Sequence, residues 1–139
     1  MRRYTVDASA AAKWFLPEEH SAAANRLLDR DIELCSPDLL FAEMGNILWK
    51  RLRKGELVAA EGSAIIAELG RMPLQIVPSE KLASIAWGIA WVLERSFYDS
   101  LYVALSQAES CPLVTGDRKL YNALAAETGV DLIWVGDLT

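Results

Sequence analysis

A chain of 139 residues with 53% apolar and 24% charged positions, and no low-complexity tract, carries enough material to bury a sizeable core, which excludes a disordered or fibrous protein. Its formal net charge of −5 argues against a protein that grips nucleic acid by general phosphate neutralisation, because that affinity scales with Lys and Arg contacts. Any nucleic-acid role must rest on a local basic patch, on bound metal, or on both.

One domain, residues 1–139, is the expectation from length. No apolar segment of the export type follows Met1-Arg2-Arg3. The longest apolar run, Leu82 to Leu93, is broken by Ser84 and Gly88 and falls short of the ~20 residues of a membrane span. A cytoplasmic protein with no membrane association is therefore expected.

Tyr4-Thr5-Val6 reads as a short buried strand ending in Asp7, and a helix over Ala10 to Leu16 follows, stopped by Pro17. Glu18 to Asp29 reads as a second helix with Ala22, Ala23, Leu27 and Leu28 inward. Ile32 to Ser36 is a strand. Pro37, in the favoured first-turn position, opens a longer helix that runs to Lys54 and stops at Gly55. Leu57 to Leu69 is a helix ended by Gly70 and Pro73, Leu74 to Val77 a strand, and Glu80 to Arg95 a helix. Tyr98 to Glu109 is a helix, Leu113 to Thr115 a strand, Arg118 to Glu127 a helix and Asp131 to Val135 the last strand. Strands separated by helices imply a mostly parallel sheet covered on both faces, with short right-handed connections. The fold class is α/β, as a three-layer α/β/α sandwich.

Two helices carry more than fold information. The segment Leu82 to Leu93 leaves almost no polar face, so it is covered on more than one side, either by a second subunit or as a central core helix. In Trp49-Lys50-Arg51-Leu52-Arg53-Lys54, four cations crowd a helix C-terminus. They complement the helix dipole there, and Lys50, Arg51, Arg53 and Lys54 are also candidate contacts to RNA phosphates. Cys35 and Cys111, far apart and without a CxxC partner, read as reduced, buried, small hydrophobes. His20 stands alone in a polar helix start, and no catalytic triad can be built around it.

Four of the nineteen acids sit where a solvated acid has little reason to be. Asp7 ends the first strand; it suits a helix N-cap, although Ser9 is also available for that role. Glu43 shares a helical face with Leu39, Leu40 and Ile47, and acids are almost never fully buried unless paired or holding a cation. Asp99 lies in the first turn of the apolar segment Phe97 to Leu105, and Asp117 follows Leu113-Val114-Thr115-Gly116 at a strand end. Strand ends and helix starts converge on the crevice of a doubly wound sheet. Two carboxylates ~4 Å apart at an effective dielectric near 20 repel by roughly 4 kcal/mol, so such a group holds protons or binds a cation. Oxygen donors without His or Cys favour a hard ion, Mg²⁺ or Mn²⁺, and hence metal-assisted phosphodiester hydrolysis.

The motifs Val6-Asp7-Ala8-Ser9, Pro37-Asp38-Leu39-Leu40 with Glu43 and Asn46, Tyr98-Asp99-Ser100-Leu101-Tyr102-Val103-Ala104-Leu105, and Leu113-Val114-Thr115-Gly116-Asp117 stand in this order along the chain. Together they resemble a PIN-domain nuclease, and more narrowly the VapC-type toxins of toxin–antitoxin pairs, over essentially the full length. The resemblance implies a five-stranded parallel sheet of order 3-2-1-4-5 with its site at the strand C-termini, and one or two Mg²⁺ or Mn²⁺ ions. Carried over position by position, Asp7, Glu43, Asp99 and Asp117 become the metal-binding and catalytic acids, with Thr115 a supporting polar group. It also implies an RNA substrate, a small cognate antitoxin and a homodimer that would cover Trp87 and Trp91. Ser106 departs from the family pattern, standing where alanine is more usual.

The expected function is a metal-dependent endoribonuclease, the toxin of a two-gene module, with Asp7 and Asp99 holding the principal ion. The alternative is a non-catalytic PIN-fold RNA-binding or assembly scaffold, which has no reason to keep four mutually repelling acids. A phosphoacceptor receiver domain is disfavoured, because Asp7 is followed by Ala8 and Ile76-Val77-Pro78 holds no acid. A dehalogenase-type phosphatase is disfavoured because Asp7-Ala8-Ser9 is not Asp-x-Asp.

Overall fold

The structure, a computed structural model, describes residues 2–139. Five strands, β1 (Arg2–Val6), β2 (Ile32–Pro37), β3 (Leu74–Val77), β4 (Leu113–Thr115) and β5 (Leu132–Trp134), form one parallel sheet in the order β3-β2-β1-β4-β5. That is the order implied by the motifs. The central strand β1 lies between β2, with Thr5 opposite Cys35, and β4, with Val6 opposite Val114. The chain runs outward from β1 to β3, then returns across the sheet to β4. The topological switch therefore falls between β1 and β4, where a crevice opens at the strand C-termini.

Among the described residues, seven helices cover the sheet: α1 (Ala8–Ala11), α2 (Ser21–Ala24), α3 (Leu39–Arg53), α4 (Ala59–Arg71), α5 (Ser79–Leu93), α6 (Phe97–Ala108) and α7 (Arg118–Leu124). Alternation along the strands sorts their side chains onto the two faces. Cys35 and Leu113 pack with Leu82, Ala86 and Ile89 of α5, with α6, and with Leu120 and Leu124 of α7. Val6, Leu34 and Val114 point the other way, against Ala10, Ala24 and Leu27. On that second side, α1, α3 and α4 bury Ala8, Ala11, Leu40, Met44, Leu48 and Leu69 together. The three-layer arrangement follows from these two apolar faces.

Several boundaries differ from the sequence reading, each for a local reason. The first helix begins at Ala8, not Ala10, because Asp7 itself caps it, and it tightens into a 3-10 turn over Ala12–Trp14. Pro37 ends β2 instead of opening a helix, and Asp38 occupies the cap position of α3. The segment expected as one helix from Glu18 reduces to α2 and a 3-10 turn, Asn25–Leu28. Its inward residues are Ala24 and Leu27, while Ala22 and Leu28 face solvent. The α7 helix stops at Leu124. His20 is not merely solvated: it adopts a left-handed backbone (φ 67°) and meets Trp134 edge-on.

Both cysteines are reduced and buried, as expected, with Thr5 Oγ1 3.3 Å from each sulfur. Burial, foremost, pushes the Cys35 thiol up to about 11. Ser106, the departure from the family pattern, is buried and donates to the Cys111 carbonyl at 2.5 Å, tying the end of α6 to the chain entering β4. Helix α5 is no core helix all round. Leu82, Ala86 and Ile89 are buried, but Trp87 and Trp91 are 65% and 67% exposed, with Ile85 and Val92 also open to solvent. Among the described residues no helix is long and apolar enough to cross a membrane.

Candidate active site

Parallel pairing of Val6 with Val114 brings the residues just beyond β1 and β4 together above the sheet. Asp7 leaves β1 in extended conformation, and its Oδ1 accepts the Ala10 N–H at 2.9 Å, which caps α1. The Ser9 hydroxyl donates to the same oxygen at 2.6 Å and accepts the Gly116 N–H at 2.8 Å. The Thr115 hydroxyl donates to Asp7 Oδ2 at 2.5 Å and accepts the Asp117 N–H at 3.0 Å. Capping and a site role are thus not alternatives for Asp7: Oδ1 serves the helix, while Oδ2 faces Thr115. Ser9 is not the cap but a brace between the two strand ends. The Asp7 carboxyl is 5% exposed. Burial lifts it from 3.8 to about 6, against the pull of its three hydrogen bonds, and the nearby Asp117 charge adds to the rise.

The other acids arrive from three separate elements. In α3, the buried stripe Leu40, Met44 and Leu48 is flanked by Leu39, Glu43 and Ile47, which turn toward the crevice. Glu43 is half-buried; burial raises its carboxyl, opposed by the Tyr102 hydroxyl and reinforced by Asp99 and Asp117. Asp99 sits in the first turn of α6, whose cap is the Ser96 hydroxyl accepting the Asp99 N–H at 3.1 Å. The carboxylate of Asp99 pairs with Arg95 at 3.2 Å. Asp117 caps α7, its Oδ1 accepting the Lys119 and Leu120 N–H groups at 3.0 and 3.2 Å.

All four acids line one cleft of about 450 Å³, with Ser9, Asn46, Lys50 and Tyr102. Tyr102 is 2% exposed, and its hydroxyl has no hydrogen-bond partner among the described residues. It lines the cleft together with Glu43. Burial, with the Glu43 and Asp7 charges, holds the phenol well above its ordinary range.

The donor set fits a hard cation. The acids Asp7, Glu43, Asp99 and Asp117 that line the cleft offer carboxylate oxygens, with no His or Cys beside them. Among the described residues no three of these groups stand close enough to form a closed ligand set. Magnesium needs no such set, since it binds through one or two carboxylates and keeps several waters.

The four basic residues at the end of α3 have different surroundings. Lys50 lines the cleft. Arg51 is tied to Glu18 and Glu56, and Glu18 also meets Lys13 at 3.4 Å. Arg53 lies over the Trp49 ring at 5.4 Å, and Lys54 is the exposed C-cap. At about 100° per residue Arg51 is turned away from Lys50, whereas Lys50, Arg53 and Lys54, three and four residues apart, share one helix side. Sequence reasoning missed the bracing role of Ser9 and the buried hydroxyl of Tyr102; both lie within quoted motifs, but only the fold sets them beside the acids.

The protein family described as the PIN domain matches residues 4–127. Among relatives, ribonuclease VapC3 of Pyrobaculum aerophilum is 35% identical over 120 residues, covering 85% of this chain and 92% of that protein. The solved structure of PAE2754 from Pyrobaculum aerophilum superposes with a TM-score of 0.70 at 24% identity, over 94% of this chain and 83% of that one. A toxin–antitoxin complex from Klebsiella pneumoniae superposes with a TM-score of 0.62 at 12% identity, over 95% and 97%. The two structural likenesses are likenesses of fold. From the matched family, the identity to its relative and the 3-2-1-4-5 sheet together, the chain belongs to the PIN-domain family, among proteins of the VapC type.

Proposed function

We propose that this chain is a divalent-metal-dependent endoribonuclease and the toxin component of a toxin–antitoxin module. The observation that carries the reading is the gathering of Asp7, Glu43, Asp99 and Asp117, from four separate segments, into one cleft at the switch point of the sheet. Its relative VapC3 is named a ribonuclease, and a structural neighbour is a toxin–antitoxin complex, which supports RNA as substrate and a small antitoxin as partner.

Asp7 and Asp99 would hold the principal Mg²⁺ or Mn²⁺ ion, with Glu43 and Asp117 completing the cluster or holding a second ion. When bound, such an ion neutralises phosphate charge and lowers the pKa of a water at the site. The protein's own residues do the positioning. Ser9 and Thr115 fix the Asp7 carboxylate through hydrogen bonds to its two oxygens, which leaves it one orientation in the cleft. Lys50 lines the α3 wall of the cleft, which supports a contact from its ammonium to a phosphate oxygen of the RNA. The exposed tryptophans of α5 support a homodimer.

The test is cleavage of RNA by purified protein with Mg²⁺ or Mn²⁺, with chelator added, and with Asp7→Asn. Loss of cleavage on chelation and on substitution is expected. Cleavage that survives both would overturn the mechanism.

A further inference from the structure

We propose that Arg118 is a fixed phosphate-binding group that holds the RNA strand on the β5 side of the acid cleft. The inference rests on the ribonuclease reading and extends it to how the substrate is gripped.

Arg118 follows Asp117 directly, and its guanidinium carbon stands 3.8 Å from the centroid of the Trp134 ring and 5.7 Å from that of Tyr121. Trp134 ends β5, and its Cα partner on β4 is Thr115, the residue that bonds Asp7. The pedestal therefore lies on the same C-terminal edge of the sheet as the acids, two strand spacings or about 10 Å from β1.

Trp134 is itself immobilised. It is 9% exposed, the His20 ring meets it edge-on at 5.6 Å, and Gly136 packs closely against both. A Cβ at Gly136 would come within 2.7 Å of Trp134 Nε1 and 2.8 Å of the His20 ring.

Stacking uses the face of a guanidinium and leaves the N–H donors around its edge free, in the fork that matches a phosphate. Arg118 is exposed and takes part in none of the ion pairs formed among the described residues. By contrast, Arg3, Arg51, Arg71 and Arg95 each pair with a carboxylate. In a chain of net charge −5, a cation stacked on Trp134 and outside the ion pairs of the described residues supplies a local basic element of the kind RNA requires. Lys50 lines the α3 wall of the cleft, and Arg118 begins α7 directly after Asp117, which lines the same cleft.

The experiment measures binding apart from cleavage. Asp7→Asn protein is titrated with a short fluorescent single-stranded RNA across a salt series, with and without Arg118→Gln or Arg118→Lys. Arg118→Gln is expected to weaken binding on the order of tenfold and to reduce the log–log salt slope by about 0.7. Arg118→Lys should keep the slope and recover only part of the affinity, because the charge remains while the fork is lost. In the cleaving protein, Arg118→Gln should raise KM with kcat little changed. An affinity and slope unchanged by Arg118→Gln would overturn the proposal, whether or not the variant alters binding of an acidic antitoxin peptide. If RNA binds through Arg118 but is never cleaved, the ribonuclease reading fails and this one stands; if the parent binds no RNA, both fail.

Discussion

The Thr115 hydroxyl reaches across 108 residues of sequence to donate to Asp7 Oδ2 at 2.5 Å, while accepting the N–H of Asp117 at 3.0 Å. One oxygen thereby ties the first acid to the last. Removing the hydroxyl leaves a buried carboxylate oxygen without its donor and frees the turn that carries Asp117. Thr115→Val is expected to lower Mn²⁺ affinity about 10–100-fold and to cost about 1–3 kcal/mol of stability. Thr115→Ser should restore both, because it keeps the hydroxyl. Metal titration by calorimetry decides the matter; equal affinity in the Val and Thr proteins would remove Thr115 from the site.

Asp7 stabilises the fold least when it is ionised. Its folded pKa of about 6 lies above the ordinary 3.8, so the folded state holds the proton more tightly than the unfolded chain. The sign follows: the contribution is fully present below about pH 4 and is lost as pH rises through about 6, a change on the order of 3 kcal/mol. Asp7→Asn removes the ionisation while keeping a side chain able to cap α1. Without divalent metal, the variant should be more stable than the parent at neutral pH, with a flatter stability profile between pH 4 and 6. Denaturant unfolding at several pH values measures this. A variant less stable at neutral pH, with an unchanged profile, would mean that the hydrogen bonds cancel the effect of burial on Asp7.

The parts of this molecule written in local pattern could be read from sequence. Alternating strands and helices gave the sandwich, and acids in apolar settings, Glu43 beside Leu39 and Ile47 above all, marked the cleft. The sheet order came from the motifs and not from periodicity, which says nothing about which strands pair. What stayed hidden depends on contacts between distant segments. Arg51 leaves the basic cluster because Glu18, 33 residues earlier, comes to meet it. Arg118 and Trp134 look unremarkable until β5 places one above the other. The apolar run of α5 predicted a helix covered on more than one side; the fold buries Leu82, Ala86 and Ile89 and leaves Trp87 and Trp91 exposed.

Gly116 is required by proximity. A Cβ there would lie 2.8 Å from Lys13 Cε and 3.1 Å from the Ser9 carbonyl oxygen. Lys13 has little room to withdraw, since its ammonium donates to the Glu19 carbonyl at 2.9 Å and faces Glu18. Gly116→Ala should therefore push the β4 turn away from Ser9 and break the Gly116 N–H to Ser9 bond. A cost of about 1–3 kcal/mol is expected, together with weaker metal binding through Asp7. Thermal unfolding and Mn²⁺ titration of the variant check the two effects. A stable variant with intact metal affinity would show that the strand ends have slack.

On α5, Trp87 and Trp91 stand one turn apart on the side away from Leu82, Ala86 and Ile89, and Ile85 and Val92 form a second exposed stripe on the flank of that buried row. Each tryptophan removed from water buries roughly 150–250 Å², and a stable interface takes about 800 Å² per partner. The two tryptophans, with Val92, Ile85 and the polar rim around them, approach that range if the face meets its own copy about a two-fold axis. The parent protein should be dimeric by light scattering, and Trp87→Glu with Trp91→Glu should be monomeric. Because these side chains contribute little to the protomer's own core, the double variant should keep its helical spectrum and its Mn²⁺ affinity. A parent that runs as a monomer would leave this face for another partner, and a double variant that stays dimeric would place the interface on a different helix.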